Sequence, residues 1–589
     1  MNGVNVQRLL DTTMELPPIP PDTDRASIDA ALSELAAHKT EWAQLPLSRK
    51  RALLHGLHQR VGEAAGRWVT VASRAKGLPL ESPLRNEEWL SGPWGVLSYC
   101  AALERTLEHV EAGTLGELVD GKAHQRSGGQ TVVRVYPDTG YDQILSSGFT
   151  VEVWMEPGVT PESLTSSMAT VYQEEAPEGA VALVLGAGNI ASIPPLDVIS
   201  KLYAEGSVCL LKMNPVNSYL GPLFEEVFSE FVDAGYMRFA YGGVDVGVYL
   251  TRHEAVEEIH VTGSATTHDA IVYGTGPEGA ARKERDEPEI NVPVTSELGG
   301  VSPIVVLPGD WSEPDLDYQA EHVVTMRTHN AGFNCIAGQI LVLPAEWPQR
   351  EAFLDAIREV LREIPDRPAY YPGAEDRMEA IDAEYPNTQH IGIHRIVEVT
   401  LDDGAYAFET EFFGDALAVV SLPGGSPEDD PGDWLRRAVD FCNHRLTGTL
   451  GANLLAHPRT LRQLGDRLDD ELARLRYGTI AVNAWTGVGF LLPQAVWGAY
   501  PGHTRDDVQS GIGKVHNALL FSRPQKSVVT GPFAPFPRSL LLGETHTAPK
   551  PPWFVTNETA AETAQRWTEL VAAPSPLKLP GLLSSALRG

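Results

Sequence analysis

A thiol and a carboxylate near the middle of the chain are of the residue types that covalent catalysis uses. Cys335 follows a glycine-containing stretch and precedes an apolar, β-branched run, and Glu297 stands before a leucine and a glycine pair. A thiol is nucleophilic as thiolate, and a nearby carboxylate can take a proton from it or from an attacking water. Either residue alone is more often a small buried side chain or a residue beside a turn. The pair predicts that Cys335 attacks a substrate.

The residues around both positions carry a further indication. Glu297-Leu298-Gly299-Gly300 resembles the glutamate motif of the aldehyde dehydrogenase superfamily, and the segment 330–335, NAGFNC, resembles its cysteine motif. The separation of 38 positions between Glu297 and Cys335 also suits that family. The resemblance implies that Cys335 is the nucleophile, that Glu297 activates the hydrolytic water, and that Gly299 lies against the cofactor.

A glycine loop upstream admits two interpretations. An apolar strand ends in Gly186-Ala187-Gly188-Asn189, but the third glycine of a Rossmann phosphate loop is missing. Asn189 and Lys212 are 23 residues apart, the spacing at which the family has an oxyanion-hole asparagine and a lysine on the cofactor ribose. Pro215 replaces the glutamate that holds the ribose diol in many NAD-preferring members. The predicted cofactor is therefore NAD or NADP.

Two more segments resemble cofactor motifs of the family. Gly263 and Ser264 match the start of a helix whose N-terminal amides face the pyrophosphate. Glu411 matches a glutamate that binds the nicotinamide ribose, and Phe413 an aromatic residue beside the nicotinamide. His268 stands where the pyrophosphate motif closes with glycine, which predicts shifted or weaker dinucleotide binding and a structural role for the histidine.

The elements that must position these residues follow an α/β pattern. From Gly179 a continuous apolar strand, a helix that stops at Gly206 and a second buried strand follow one another, which is typical of a parallel sheet. Residues 47–77 have the one-face apolar spacing of a helix. The predicted fold is α/β and aldehyde dehydrogenase-like, with two Rossmann-like parallel-sheet domains and a β-ribbon for oligomerisation.

The resemblance covers about residues 25–533 and implies a division of the chain into segments. Within the ribbon, Asp138-Thr139-Gly140 predicts a turn between two strands. The C-terminal segment is expected to dock on protein. The predicted segments are an N-terminal arm (1–23), the first part of the cofactor-binding domain (24–130), the ribbon (131–156), the second part of the cofactor-binding domain (157–298), a catalytic domain (299–505), a return with an oligomerisation strand (506–533) and a C-terminal extension (534–589).

Composition limits the partners. A formal charge of −32 repels polyanions, so neither nucleic acid nor an anionic membrane is expected. No run of 18 apolar residues occurs, and the first residues lack the pattern of a secretory signal. The four cysteines form neither CxxC nor Cys/His ligand patterns, so we expect no metal site and a reducing cytoplasm.

The resemblance implies NAD(P)-dependent oxidation of an aldehyde to an acid by a homodimer or homotetramer. The nearest alternative is an acyl-CoA reductase, in which coenzyme A takes the acyl group from Cys335. Retention of Glu297 favours hydrolysis, because efficient attack by water would destroy the intermediate of such a reductase. A non-catalytic nucleotide-binding member is the third interpretation.

Overall fold

The computed structural model describes residues 17–427 and 429–589, which form a mixed α/β protein around two β-sheets. Residues 1–16 of the predicted arm lie outside the described part. Residues 17–24 form neither helix nor strand, and Thr23 joins the body because its N–H donates to the Tyr241 carbonyl at 3.0 Å. The Tyr241 N–H donates to the Thr23 hydroxyl at 2.9 Å.

The strands lie in two groups. They are β1 (Ala123–Gln125), β2 (Thr131–Tyr136), β3 (Thr150–Met155), β4 (Val181–Leu185), β5 (Val208–Lys212), β6 (Met237–Ala240), β7 (Glu258–Gly263), β8 (Val294–Leu298), β9 (Ser302–Val306), β10 (Gly338–Pro344), β11 (Gln389–Ile391), β12 (His394–Val399), β13 (Ala416–Leu422), β14 (Gly451–Leu455), β15 (Thr479–Val482), β16 (Gly511–Ile512) and β17 (Pro524–Thr530).

The helices cover the faces of the sheets. They are α1 (Arg25–Ala43), α2 (Leu47–Ala75), α3 (Asn86–Trp89), α4 (Gly95–Ala112), α5 (Gly140–Leu145), α6 (Pro161–Leu164), α7 (Ile193–Ala204), α8 (Gly221–Val227), α9 (Ser229–Asp233), α10 (Val244–Thr251), α11 (Ala265–Val272), α12 (Gly276–Glu284), α13 (Glu313–Thr328), α14 (Arg350–Glu363), α15 (Ala374–Glu384), α16 (Ala405–Glu409), α17 (Pro431–Arg445), α18 (Pro458–Leu464), α19 (Asp466–Arg474), α20 (Thr486–Leu491), α21 (Ala560–Ala572) and α22 (Leu579–Ala586).

The smaller sheet has the order β16-β8-β7-β4-β5-β6, and only β16 runs antiparallel to its neighbour. Because the strands are parallel, their carboxyl ends meet at one edge, where ligands of such sheets bind. Lys212 and Gly263 are the last residues of β5 and β7. Asn189 follows β4, and Glu297 is the next-to-last residue of β8. The topology therefore gathers four predicted site residues at one edge.

The larger sheet has eleven strands in the order β1-β2-β3-β17-β15-β14-β9-β10-β13-β12-β11. Its middle, from β17 to β12, is parallel. Cys335 lies in the turn that leads into β10, one of the central strands, whose seven residues are all buried. The nucleophile candidate therefore stands on a rigid support.

The predicted ribbon pairs within its own chain. β2 and β3 are antiparallel, and β3 continues antiparallel onto β17, which in turn runs parallel to β15. The turn predicted at Asp138-Thr139-Gly140 is wrong, because the helix α5 begins there. The Thr139 hydroxyl accepts the Asp142 N–H, and the Asp142 carboxylate accepts the Thr139 N–H, so a capping box starts the helix.

Apolar spacing explains how the helical layer attaches to the smaller sheet. α2 ends just before Gly77, whose φ of 69° is the left-handed conformation that favours glycine after a helix. Leu57, Val61 and Trp68 lie on its inner face and are fully buried. Each large apolar side chain buried in this way stabilises the fold by about 2–3 kcal/mol.

The C-terminal segment, residues 534–589, docks on the body, as predicted. Phe554 is 1% exposed and stacks on Tyr318 and His322, with ring centroids 5.2 and 5.0 Å apart. The Asn86 side-chain amide donates to the Pro552 carbonyl at 2.7 Å.

Among the described helices we find none with the length and apolar character to cross a bilayer.

Candidate active site

All nine predicted site residues line one cavity of about 760 Å³ at the carboxyl edge of the smaller sheet. Burial is greatest at the end near Cys335, where Asn189 and Glu297 are less than 10% exposed. The sequence motifs, which lie far apart along the chain, thus meet in space. The nine residues are Asn189, Lys212, Gly263, Ser264, Glu297, Gly299, Cys335, Glu411 and Phe413.

The loop before Cys335 has an unusual backbone. Asn330, Ala331 and Gly332 have φ values of 56°, 54° and 77°, so two residues other than glycine adopt the left-handed conformation. Such residues are costly and persist where the surroundings hold them in place. Arg327, itself buried, donates to the Gly332 carbonyl at 2.9 Å and also to the Gly414 carbonyl. Arg327 therefore ties the cysteine loop to the loop that carries Glu411.

The thiol and two carboxyl groups share this buried end. Burial raises the pKa of the Cys335 thiol well above its ordinary value, and the charges of Glu297 and Glu411 act in the same direction. Burial raises the pKa of Glu297 to about 8, and Asp197 adds to the shift, while the Cys335 and Trp497 side chains oppose it. At neutral pH the Cys335 thiol and the Glu297 carboxyl group are therefore both mainly protonated, and the site holds a neutral thiol.

Glu411 faces the same end from the other sheet. Burial raises its pKa to about 8, Arg327 and Arg377 oppose the shift, and Glu297 adds to it. One carboxylate oxygen, Oε1, is buried and has no hydrogen-bond partner among the described residues. A side chain at position 299 would collide with this carboxylate, which explains why Gly299 stands there. Glu411 thus has a free acceptor beside the cavity.

Aromatic and cationic side chains frame Phe413. Its φ of 40° is again left-handed, and the Arg377 guanidinium lies over its ring at 5.6 Å from the centroid. Tyr371 meets it edge to face, with ring centroids 5.0 Å apart. Tyr371 and Arg377 line the cavity too, although no motif in the sequence predicts a role for them.

Asn189 contributes its side chain and its backbone to the site. The side-chain amide donates one hydrogen to the Phe333 carbonyl at 2.9 Å, which leaves its second hydrogen free to point elsewhere. The Cys335 N–H makes no hydrogen bond to another described residue. Asn189 and Cys335 both line the cavity, and two N–H donors of this kind can stabilise an oxyanion.

A buried polar network fixes the loop that carries Asn189. The Asn189 carbonyl accepts hydrogen bonds from Lys76, Asn330 and Tyr370, at 3.1, 3.2 and 3.0 Å. Lys76 is paired in turn with Glu88 at 2.7 Å, and both are at least 96% buried. A buried charge pair of this kind is stabilised only where further hydrogen bonds satisfy both partners.

Sequence reasoning missed this network. The Tyr370 hydroxyl lies 3.0 Å from the Asn330 Oδ1 as well, so its single hydrogen is shared between this oxygen and the Asn189 carbonyl. Nothing in the residues around Lys76, Glu88 or Tyr370 indicates a site, because their partners lie up to 254 residues away.

Among the described residues, no group of three or more His, Cys, Asp or Glu side chains could hold a metal ion.

The opposite end of the cavity lies over α11. Ser264 is the N-cap of this helix, and its hydroxyl accepts the Thr267 N–H at 3.2 Å. Burial lowers the pKa of Lys212, and the charge of Asp22 opposes that shift. His268 is fully buried, pairs with Asp269 at 3.3 Å and is not among the residues that line the cavity. Its side chain therefore leaves the space above the helix N-terminus open.

A second, narrow apolar space also has Cys335 in its lining. It measures about 30 Å³, and aromatic side chains that include Trp485 and Phe490 line it together with the thiol. Ile193 and Cys335 belong to the linings of both spaces. The thiol thus stands where a long, partly polar cavity meets a narrow apolar one.

Comparisons with known proteins agree with this arrangement. The model of the aldehyde dehydrogenase family matches residues 154–370. Coniferyl aldehyde dehydrogenase of a Pseudomonas species is 27% identical over 196 residues, which cover 33% of this chain and 37% of the relative. Aminoacetaldehyde dehydrogenase of Pseudomonas aeruginosa is 29% identical over 346 residues, which cover 54% of this chain and 62% of the relative.

A solved structure is similar over most of the fold. The NADP-dependent glyceraldehyde-3-phosphate dehydrogenase of Bacillus halodurans, in complex with NADP, superposes with a TM-score of 0.57 at 16% identity. The alignment covers 86% of this chain and 92% of that chain. The predicted α/β fold class is therefore confirmed, whereas the chain spans less than two thirds of the length of both curated relatives.

Proposed function

Because this chain belongs to the aldehyde dehydrogenase superfamily, we propose that it oxidises an aldehyde to the carboxylic acid with NAD or NADP as hydride acceptor. One observation carries the proposal. Cys335 lines both the large cavity and the narrow apolar space, so a cofactor in the one and an aldehyde in the other can both reach it. Glu297 and Asn189 line the large cavity together with Cys335.

The large cavity fits a dinucleotide. Val244 and Val248 on α10 line it and are 80% and 44% exposed, so a flat apolar group such as adenine has a surface to cover. The N-terminal amides of α11, next to Gly263 and Ser264, suit a pyrophosphate. The Lys212 ammonium has neither a hydrogen-bond nor an ion-pair partner within the described chain, which leaves it free for ribose hydroxyls.

The inner end of the cavity fits the nicotinamide half. The unpartnered Glu411 oxygen would hold the ribose, and Phe413 would pack beside the ring. The dinucleotide, when bound, supplies the hydride acceptor. Because the negative charge of Asp22 already acts on Lys212, a 2′-phosphate at this place would be repelled. We therefore expect NAD to be used in preference to NADP.

The proposed cycle uses three groups of the chain. The Cys335 thiol first releases its proton to solvent water, and the thiolate then attacks the carbonyl carbon. The oxyanion that forms accepts hydrogen bonds from the Asn189 amide and the Cys335 N–H. When the carbonyl re-forms, a hydride leaves its carbon and a thioester remains on sulfur. Glu297 then accepts a proton from water, which attacks the thioester, and cleavage of the C–S bond releases the acid and the thiolate.

The same thioester could pass to coenzyme A instead of water. The position of Glu297 disfavours this route, since its carboxyl group lies beside the thiol and the residue is only 2% exposed. A carboxylate in that place activates water and shortens the life of the thioester. Hydrolysis is therefore the proposed outcome, and transfer to coenzyme A is the alternative that the assay must separate.

The experiment that tests the function measures dinucleotide reduction by the full chain with propanal, hexanal and benzaldehyde, each with NAD and with NADP. We expect steady reduction with at least one aldehyde, a larger rate with NAD, and one carboxylic acid formed per dinucleotide. Reduction that starts only after coenzyme A is added would favour the acylating enzyme. Thermal stabilisation by dinucleotide without turnover under any condition would favour a non-catalytic binding protein.

The network behind Asn189 yields a prediction about positioning. Tyr370→Phe removes the hydroxyl that donates to the Asn189 carbonyl and to Asn330 but keeps the ring. Since one such hydrogen bond stabilises by about 1 kcal/mol, we expect kcat to fall about five-fold. The KM for dinucleotide should stay the same, because Lys212 and α11 are untouched. Steady-state kinetics and a melting curve check the result.

Tyr371→Phe is the matched control. Its hydroxyl makes no hydrogen bond to any described residue, so kcat should hold within a factor of about two. Equal losses in both variants would show that the Tyr370 hydroxyl does not position Asn189. A fall in melting temperature with unchanged kcat would assign it a structural role only.

Assembly and compartment are also proposals. We propose a homodimer or homotetramer, as the family resemblance implies, although the ribbon strand β3 already pairs with both β2 and β17 of its own chain. All four cysteines are free thiols, which suits a reducing cytoplasm. Light scattering of the purified chain measures its mass in solution directly.

A further inference from the structure

Three voids follow one another from Cys335 towards the surface. The inner void of about 30 Å³ contacts Cys335 and Leu491. The middle void of about 20 Å³ shares Leu491 with it. An outer chamber of about 230 Å³ shares Trp94, Leu492 and Trp567 with the middle void. Shared wall residues thus relate the three voids in a series that begins at Cys335, with Leu491 between the first two and Trp94, Leu492 and Trp567 between the last two.

The C-terminal segment contributes Trp567 to the wall between the middle void and the outer chamber. Trp567 of α21 meets Trp94 edge to face, with ring centroids 5.0 Å apart at 63°. Trp553 of the same segment lines the middle void and packs on Phe149 at 5.7 Å. Leu570 of α21 lines the outer chamber. Residues that follow the last sheet strand therefore line the outer part of this series of voids.

This part of the chain is held firmly in place. The Val555 N–H donates to the Thr325 hydroxyl at 3.1 Å, and Lys550 pairs with Glu321 at 2.8 Å. Trp553 is 7% exposed and Val555 is 8% exposed. Burial and directional bonds together make the segment a fixed wall, in contrast to a loose tail that moves aside for each substrate.

The sizes of the voids determine what they can accept. A void needs about 10–15 Å³ to hold one water molecule, so the inner and middle voids have room for only a few small groups. Their linings are mainly Trp, Phe, Leu and Ile side chains, which favour an apolar chain. A long aldehyde would have to pass between Trp94 and Trp567.

We propose that the C-terminal segment is the end wall of the aldehyde site and that Trp567 determines its size limit, so that compact apolar aldehydes are the substrates. This inference rests on the proposed aldehyde oxidation and adds the substrate class. The thiol holds the carbonyl carbon, the inner and middle voids take the few carbons behind it, and Trp567 against Trp94 stops longer chains. Removing the Trp567 indole joins the middle void to the outer chamber.

Trp567→Ala tests the size limit through the ratio of kcat/KM for octanal to that for propanal. In the wild type we expect propanal to be preferred at least ten-fold. In the variant the octanal value should rise at least ten-fold, because the chain can now extend into the outer chamber. The propanal value should change less than about three-fold. Trp567→Leu, a smaller change, should move the ratio in the same direction and serves if the alanine variant folds poorly.

Leu582→Ala is the matched control. Leu582 is 2% exposed on α22, which packs against α21, and it lines none of the three voids. This variant loosens the segment without joining the voids, so the aldehyde ratio should remain that of the wild type. An equal shift in Leu582→Ala and Trp567→Ala would overturn the proposal, as would a wild type that prefers octanal.

A second readout separates this inference from the proposed function. Mass spectrometry follows alkylation of Cys335 by iodoacetamide and by N-octyl iodoacetamide, with Cys335→Ala as background. Both are measured with and without NADH, because the large cavity offers the reagents another way to the thiol. Trp567→Ala should raise the octyl-to-parent rate ratio at least five-fold. A five-fold rise in the alkylation ratio without any aldehyde turnover would support Trp567 as the end wall and refute the proposed aldehyde oxidation. Aldehyde turnover with an unchanged ratio in both assays would refute Trp567 as the end wall.

Discussion

Cys335→Ala should abolish dinucleotide reduction with every aldehyde, lowering kcat by about four orders of magnitude or more. The reason is that no second thiol can take its place, because Cys100, Cys209 and Cys442 are at most 1% exposed and line none of the cavities beside the site. Dinucleotide binding should persist, since the residues over α11 and at Lys212 are unchanged. Steady-state reduction and thermal stabilisation by NAD measure the two properties.

Cys442→Ala provides the control for this loss. It removes a thiol of equal size from α17, and burial alone raises the pKa of that thiol. Activity should stay within a factor of about two if the variant folds, because the altered residue belongs to the core. Retention of more than a few per cent of wild-type activity in Cys335→Ala would mean that another group attacks the aldehyde, and the proposed covalent cycle would then be wrong.

Local sequence predicted the reacting residues because each lies in a short motif at a strand end. Asn189, Lys212, Gly263 and Glu297 follow or end adjacent parallel strands, and the order of such strands in space brings their carboxyl ends together. Motif and topology therefore gave the same site. The roles assigned to these residues remain predictions until the variants are measured.

The supporting network could not be predicted in this way. Lys76 pairs with Glu88 and binds Asn330, which lies 254 residues away. A lysine in an amphipathic region is predicted to be a solvated surface residue. Only the tertiary fold shows that Lys76 is buried beneath the cysteine loop. The same holds for Trp567, whose place in α21 says nothing about the void that its ring closes.

His268 departs from a motif of the resembling family. The histidine stands where that family has glycine, which predicts shifted or weaker dinucleotide binding, and this stays a prediction. α11 turns this side chain into the protein, where it is fully buried beside Asp269. The direction in which a helical residue points depends on the position of the helix on the sheet, which a linear motif does not contain.

Glu297→Gln should separate formation of the thioester from its hydrolysis. The amide keeps the size of the carboxyl group but cannot accept a proton from water, so the first turnover should proceed and later ones should stall. We expect a burst of about one reduced dinucleotide per site, followed by a steady rate about 100-fold or more below that of the wild type. Rapid mixing measures the burst, and mass spectrometry of the quenched protein detects the acyl group on Cys335.

The raised pKa of Glu297 gives this step a pH dependence. Burial raises that pKa to about 8, so the carboxylate that acts as base is the minor form at pH 6 and the major form above pH 8. Hydrolysis of the acyl-enzyme in the wild type should therefore accelerate from pH 6 to pH 9. In Glu297→Gln the slow residual hydrolysis should lack the step near pH 8 and follow hydroxide alone.

The outcome in coenzyme A decides between the two fates of the thioester. Glu297→Gln could stall without coenzyme A and turn over when coenzyme A is added. This result would mean that the thiol of coenzyme A can reach the thioester on Cys335 and that the variant has become an acylating enzyme. Wild-type turnover that is unaffected by coenzyme A would show that water wins the competition because Glu297 activates it. Full steady turnover of the variant without coenzyme A would refute the assignment of Glu297 as the base. Glu411 would then be the candidate base, since it is the other carboxyl group in the lining of the large cavity.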